Sequence, residues 1–219
     1  MNVFHSKADI EDRLTKAFRE KYKRKDVVLT GILLARPEDK LTKSDILPHL
    51  NYWHYRSDYY ADFFCAGYIP VDFENGTIAV DAYIDDLQWG FSHSAFVEIV
   101  EDIENTTDWS YNGDPTLILI NAYFDENAAK LDFHRLLRIN FRELSLLKNP
   151  PTPTSIAENV FEFAKKCNED ESDPIWELST KFGRRILRKG IKTAFLSWLP
   201  KWLSPTVAEA MQFEVVHEI

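Results

Sequence analysis

The stretch VVLTGILLA, Val27–Ala35, is almost wholly apolar, and Arg36-Pro37 ends it. The stretch TLILINAY, Thr116–Tyr123, has the same character. A strand that is apolar on both sides belongs inside a sheet covered on both faces, which is typical of parallel strands. We therefore predict that these two segments are central, parallel strands of one sheet.

Helical and extended patterns alternate around these two strands. Apolar residues recur at helical spacing in 7–25 and 93–105, and residues 62–68 form a third strand candidate. Asn75-Gly76 is a strong two-residue hairpin signal, so we expect 68–74 and 77–84 to pair, with Pro70 at a sheet edge. The pattern predicts an α/β fold: a mixed sheet with central parallel strands covered by helices, plus a helical C-terminal extension.

Two later stretches, 131–144 and 149–158, decide where the first domain is predicted to end. Residues 131–144 fit a strand by alternation and a helix by 3.6-residue spacing. The proline-rich stretch 149–153 predicts a stiff linker, and Ser155-x-x-Glu158 predicts a capping box at the start of the next helix. We therefore divide the chain into an acidic α/β domain at 1–149 and a helical C-terminal region at 154–219.

Composition limits the class of protein. The chain has 219 residues, of which 45% are hydrophobic and 14% aromatic, with a formal net charge of −9. It can therefore bury a core and is not a disordered chain. Met1–Arg13 has no secretory signal pattern, no run approaches the ~18 apolar residues of a membrane span, and two cysteines make no disulfide framework. We expect a cytoplasmic protein.

Charge is distributed unevenly along the chain. Residues 178–206 contain seven basic residues and no acidic one, which leaves 19 basic against 35 acidic residues elsewhere, or −16. Read as a helix, this segment has an apolar stripe beside a basic face, so we predict that it docks on a protein or an anionic membrane surface. Packing of the apolar stripe on the domain itself is the alternative. Nucleic acid is less favoured because the rest of the chain would repel it. The predicted binding residues are Arg185, Arg188, Lys189, Lys192, Trp198 and Trp202.

An aromatic segment, His49–Phe64, holds seven aromatic side chains in sixteen residues. Tyrosine, tryptophan and arginine dominate protein-binding hot spots. We therefore predict that Tyr52, Trp53, Tyr55 and Arg56 contact a protein partner. Packing into the core is the alternative for these aromatic side chains.

The same segment contains the main candidates for chemistry. His54, Asp58 and Asp62 follow one another at helical spacing, so an imidazole and two carboxylates could hold a divalent metal or form an acid–base pair. Cys65 is a candidate nucleophile, and Asp125 follows the second central strand. The alternative for the histidine–aspartate set is a solvated helix face.

The sequence favours a binding protein over an enzyme. It contains no G-x-S-x-G, H-E-x-x-H, C-x-x-C or G-x-G-x-x-G motif, and it indicates no particular cofactor. We expect a non-catalytic interaction or effector module of a larger cytoplasmic assembly, for which a bacterial stress or defence system is one setting. A metal-assisted hydrolase of a nucleotide or phosphoester and a membrane-active effector are the alternatives, and homo-oligomerisation stays open.

Overall fold

The computed structural model describes residues 6–22, 26–57, 60–71, 79–84, 86–125, 127–177 and the backbone of 211–215. Within those ranges the helices are α1 (Lys7–Glu20), α2 (Leu50–Ser57), α3 (His93–Thr106), α4 (Phe141–Ser145) and α5 (Pro153–Glu169). The strands are β1 (Val27–Leu34), β2 (Ala61–Cys65), β3 (Tyr68–Pro70), β4 (Val80–Ile84), β5 (Leu87–Phe91), β6 (Thr116–Asp125), β7 (Ala128–Asn140) and β8 (Met211–Val215). A π-helical turn (Thr42–Ile46) and a 3₁₀ turn (Leu47–His49) lead into α2.

The main sheet is mixed, as predicted, and helices accompany it. Its strand order is β2-β1-β6-β7-β8. β1 is parallel to β2, with Leu29 opposite Ala61, and the other neighbours are antiparallel. The prediction that β1 and β6 are parallel is wrong, because Leu34 lies opposite Thr116 and Val27 opposite Tyr123. The double apolar pattern reports burial of both faces, and an antiparallel strand buried on both faces carries the same pattern.

Each face of the main sheet builds its own core. On one face, α2, α5 and the strands β4 and β5 pack on side chains such as Leu33, Phe63 and Leu119. On the other face, α1 and α3 cover the strand residues whose side chains point the opposite way, such as Ile32 and Phe64. We call these the α5 face and the α1 face. Burial of apolar area on both sides stabilises the sheet.

A second sheet has the order β3-β5-β4. The predicted pairing of the segments on either side of Asn75-Gly76 is therefore wrong for the described strands, since β5 lies between β3 and β4. The tight hairpin instead joins β4 to β5, where Ile84 lies opposite Leu87 and Asp86 has a φ of 60°. Pro70 lies in the edge strand β3, where its missing N–H breaks no ladder.

The ambiguous stretch 131–144 is divided between two elements. Most of it belongs to the long strand β7, and α4 begins at Phe141. Asn140 separates the two, because its side chain accepts a hydrogen bond from the Glu143 N–H and so caps α4. Both periodicities were present because the chain changes from strand to helix within this window.

The helix starts follow local capping chemistry. Ser92 caps α3 by accepting a hydrogen bond from the Ala95 N–H, as its position predicts. The predicted capping box at Ser155 is wrong, because α5 begins earlier, at Pro153, with Thr152 as its cap. Proline suits the first helical position because its fixed φ is already helical.

Residues 153–177 and 211–215 belong to the same fold as the residues before them. Ile156, Val160 and Phe161 of α5 belong to the core that β1 and β2 also build. β8 pairs with β7, so the end of the chain adds a strand to the main sheet. The basic segment 181–203 lies outside the described residues. Among the residues that the structure describes, no helix has the length and apolar character needed to cross a membrane.

Candidate functional site

The aromatic segment is divided between core and surface by α2. The Trp53 side chain is completely buried, in the core of the α5 face. Tyr52 and Tyr55 stay 44% and 58% exposed on the outer side of the same helix. A helix turns about 100° per residue, so neighbours of the buried tryptophan necessarily point away from the core. Tyr52, Tyr55 and Arg56 form what we call the tyrosine surface.

Arg56 is held in place by two carboxylates of α5. Its Nη2 atom lies 3.0 Å from Glu158 Oε2 and 3.1 Å from Glu162 Oε1. These hydrogen bonds, led by the one to Glu158, raise the pKa of Arg56 above its ordinary value. Exposed ion pairs add little stability. Their consequence here is positional, because they restrict a long cationic side chain on the surface of α2.

Tyr52 shares one of these carboxylates. Its hydroxyl hydrogen-bonds to Glu158, and this bond is the main reason why the pKa of Tyr52 is raised. Burial by itself would raise the pKa of Glu158, but the hydrogen bonds from Arg56 and Tyr52 outweigh it and lower that pKa. Glu158 therefore stays ionised and connects both side chains to α5.

A further tyrosine lies on the strand beside α2. Tyr83 is 63% exposed on β4, and β4 packs against α2. The core-facing neighbours Ala82 and Ile84 are buried with Trp53, so alternation along β4 sends Tyr83 outward. Sequence analysis did not single out Tyr83, although its alternation with Ala82 and Ile84 is visible in the sequence.

The structure does not bring the predicted ligands His54 and Asp62 together. His54 lies on α2, on the α5 face, with its ring 5.3 Å from that of Tyr55. Asp62 has the strand parity of Phe64 and so points to the α1 face, where Lys21 Nζ is 3.8 Å from its Oδ1. Asp58 lies outside the described residues. Within the described ranges, no group of three or more metal-ligating side chains is present.

The remaining catalytic candidates lie at opposite ends of the main sheet. Cys65 ends β2 beside Leu33, and its complete burial raises the pKa of its thiol, which disfavours the nucleophilic thiolate. Asp125 ends β6 at the other end, 3.4 Å from Lys130 Nζ on the exposed surface. The separation follows from the antiparallel pairing of β1 and β6, which places their carboxyl ends apart.

A buried polar network was missed by sequence analysis. Asn121 of β6 is completely buried, and its Nδ2 donates to Asp173 Oδ1 at 2.6 Å and to the Tyr123 hydroxyl at 3.0 Å. The Tyr123 hydroxyl donates to Asp173 Oδ2 at 2.8 Å. Desolvation, followed by the hydrogen bond to Asp173, raises the pKa of Tyr123 to about 12. An asparagine inside an otherwise apolar strand was the available signal.

This network anchors the chain just before the basic segment. Asp173 accepts a hydrogen bond from the Trp176 N–H, and the Ile175 N–H donates to Asn121 Oδ1 at 3.3 Å. The helical turn 174–177 is thereby attached to the centre of the main sheet. Asp173 thus acts as the helix cap that the Asp173-Pro174 pair predicts.

The other predicted binding residues fall outside the described part of the chain. They are Arg185, Arg188, Lys189, Lys192, Trp198 and Trp202. Their contact with a protein or an anionic surface stays a prediction from the sequence. Comparisons with protein-family models, with curated proteins and with solved structures found no match for this chain.

Proposed function

We propose that this protein is a non-catalytic interaction or effector module of a larger cytoplasmic assembly, and that it binds a protein partner through the tyrosine surface. The observation that carries the proposal is the exposure of Tyr52 and Tyr55 beside an arginine fixed by two carboxylates. Tyrosine and arginine are enriched in binding hot spots.

The arrangement lowers one cost of binding. Fixing a flexible side chain on association costs roughly 0.5–1.5 kcal/mol. Glu158 and Glu162 already restrict Arg56, and Glu158 restricts Tyr52 through its hydroxyl. Tyr55 adds a rigid aromatic ring that is more than half exposed. A partner would therefore meet a partly preorganised surface.

Site-specific crosslinking tests this proposal. A photoreactive phenylalanine analogue replaces Tyr55 in one protein and Leu146, which is 79% exposed next to α4, in a control. After irradiation in cells, we expect a discrete crosslinked species from position 55 that Tyr52→Ala weakens, and none from position 146. Identical crosslinking patterns from the two positions would contradict the proposal.

The basic segment is proposed as a second contact, on the strength of its sequence. Its test is sedimentation with anionic and neutral vesicles, comparing the full chain with the double variant Arg188→Glu, Trp198→Ala. We expect salt-sensitive binding to anionic vesicles that the double variant loses, because both the charge and the aromatic anchor are removed. Failure of the wild-type protein to sediment would assign the basic segment to the fold itself or to a protein interface.

A further inference from the structure

A polar cavity of about 200 Å³ lies at the end of the main sheet where Thr116 of β6 is opposite Asn140 of β7. It is separate from the tyrosine surface, which is built on α2. The residues that line it are Trp109, Ser110, Asn112, Thr116, Arg138, Asn140 and Glu143. Ligand sites for drug-sized molecules are larger, about 300–1,000 Å³, so this volume suits a smaller molecule.

Part of the wall is fixed by hydrogen bonds that converge on Asp114. The side-chain amides of Asn112 and Asn140 each donate to Asp114 Oδ2 at 3.0 Å. The Thr116 hydroxyl donates to the Asp114 carbonyl oxygen, also at 3.0 Å. Arg142 of α4 is not among the lining residues, and it forms ion pairs with Asp39 and Asp114. The cavity therefore keeps its shape without a ligand.

Two lining residues carry opposite charges. The Arg138 guanidinium carbon lies 5.3 Å from the centre of the Trp109 ring, which is a cation–π contact. The Glu143 carboxylate makes no hydrogen bond or ion pair with any residue that the structure describes. A guanidinium offers paired donors to a carboxylate, and a carboxylate accepts from an ammonium group.

We infer that this cavity binds a small zwitterion of the free α-amino acid class. Arg138 binds the carboxylate of the ligand, Glu143 binds its ammonium group, and Ser110 also lines the cavity. The limited volume selects a short side chain. This site is independent of the proposed partner surface, and the failure of either leaves the other standing.

Ligand analogues test the inference on the full chain. Calorimetric titration compares L-alanine with N-acetyl-L-alanine, which lacks the ammonium group, and with L-alaninamide, which lacks the carboxylate. We expect saturable binding of L-alanine and at least about tenfold weaker binding of each analogue, because each loses one charge-assisted contact. No saturable binding of L-alanine or L-serine, or equal binding of alanine and its acetylated form, would overturn the inference.

A variant of Glu143 tests its contact with the ammonium group. Glu143→Gln keeps the side-chain shape and the α4 cap, since that cap uses the backbone N–H of Glu143. We expect this variant to bind L-alanine about tenfold more weakly and to lose its preference over N-acetyl-L-alanine. Glu98→Gln, on α3 and away from the cavity lining, is the matched control. If Glu143→Gln retains the wild-type preference, Glu143 does not bind the ammonium group.

Discussion

Gly67 shows at the level of one residue how tightly the end of β2 approaches α3. Its φ is +78°, a conformation that residues with a side chain rarely adopt. A Cβ atom added there would lie 2.7 Å from the Phe96 Cβ and 3.0 Å from the Ser92 carbonyl oxygen. The Ser92 N–H also donates to the Gly67 carbonyl oxygen at 2.7 Å. Glycine is therefore required both for backbone angle and for space.

Gly113 offers a matched control for this residue. Its φ is also positive, +93°, but an added Cβ would meet nothing within 4 Å. We expect Gly113→Ala to cost about 1–2 kcal/mol of unfolding free energy for the backbone alone. Gly67→Ala should cost on the order of 1–3 kcal/mol more, from overpacking. Urea unfolding measures both, and equal losses would mean that α3 moves away without cost.

Asp173 is the titratable residue on which the buried network depends. Burial alone would raise its pKa, but hydrogen bonds from the Trp176 N–H, Asn121 and Tyr123 outweigh it, so the pKa of Asp173 is lowered. A carboxylate with a lowered pKa in the folded state stabilises the fold above its unfolded pKa of about 3.9. That contribution is lost as the pH falls through the folded pKa.

The substitution Asp173→Asn tests this network. At pH 7 we expect a loss of about 1–3 kcal/mol in unfolding free energy, because buried donors of Asn121 and Tyr123 lose an ionised acceptor. The difference in unfolding free energy from wild type should narrow as the pH falls below the unfolded pKa of about 3.9 and through the lowered pKa of folded Asp173. Asp125→Asn, on the exposed end of β6, is the control. A gap that does not change with pH would exclude ionised Asp173 as the cause.

At the level of elements, α5 is capped by Thr152 and not by the predicted capping box at Ser155. The Thr152 hydroxyl accepts the Ser155 N–H at 3.1 Å, and the Ser155 hydroxyl donates to the Thr152 carbonyl oxygen at 2.8 Å. Thr152 therefore satisfies an otherwise unpaired N–H of the first turn. The capping-box interpretation assigned this role to Ser155 because the prolines before it were assigned to a linker.

Two alanine variants distinguish the caps. We expect Thr152→Ala to lower the unfolding free energy by about 1 kcal/mol, the usual value of a lost N-cap. Ser155→Ala should cost clearly less, because its hydroxyl serves only an exposed carbonyl oxygen. Thermal unfolding followed by circular dichroism ranks the two. The reverse order would restore Ser155 as the cap.

For the whole molecule, the edge of the main sheet depends on β8. Its backbone pairs with β7 from Arg135 opposite Val215 to Ile139 opposite Met211. Removal of β8 would leave a long row of unpaired N–H and C=O groups on β7, and such edges pair with other chains. β8 therefore covers the long strand β7 and is itself the short edge strand of the main sheet.

Deletion of residues 211–219 tests the importance of this edge. We expect a lower melting temperature and concentration-dependent self-association, measured by light scattering, because the β7 edge becomes available. Deletion of 216–219 alone leaves β8 in place and serves as the control. If the longer deletion is as stable and as monodisperse as the shorter one, β8 contributes nothing to either property.

Residue patterns predicted most elements and singled out Tyr52, Tyr55 and Arg56, but they did not separate these exposed residues from the buried Trp53. The strands around Val27–Ala35 and Thr116–Tyr123 and the helices around 7–25 and 93–105 are visible because burial repeats at fixed spacing. The spacing of His54 and Asp62 suggested a shared helix face, but the chain changes from α2 to β2 between them. The outward-pointing Tyr83 and the network of Asp173 depend on what packs beside them.

By itself, the sequence determined that Val27–Ala35 and Thr116–Tyr123 contain strands, that 7–25 and 93–105 contain helices, and that the main sheet is covered on both faces. These properties depend on side chains close together in the chain. Only the tertiary structure decided that β1 and β6 are antiparallel, that β5 separates β3 from β4, and that His54 and Asp62 lie on opposite sides of the main sheet. Strand direction and pairing depend on contacts between distant residues, and a local apolar pattern is the same for either direction.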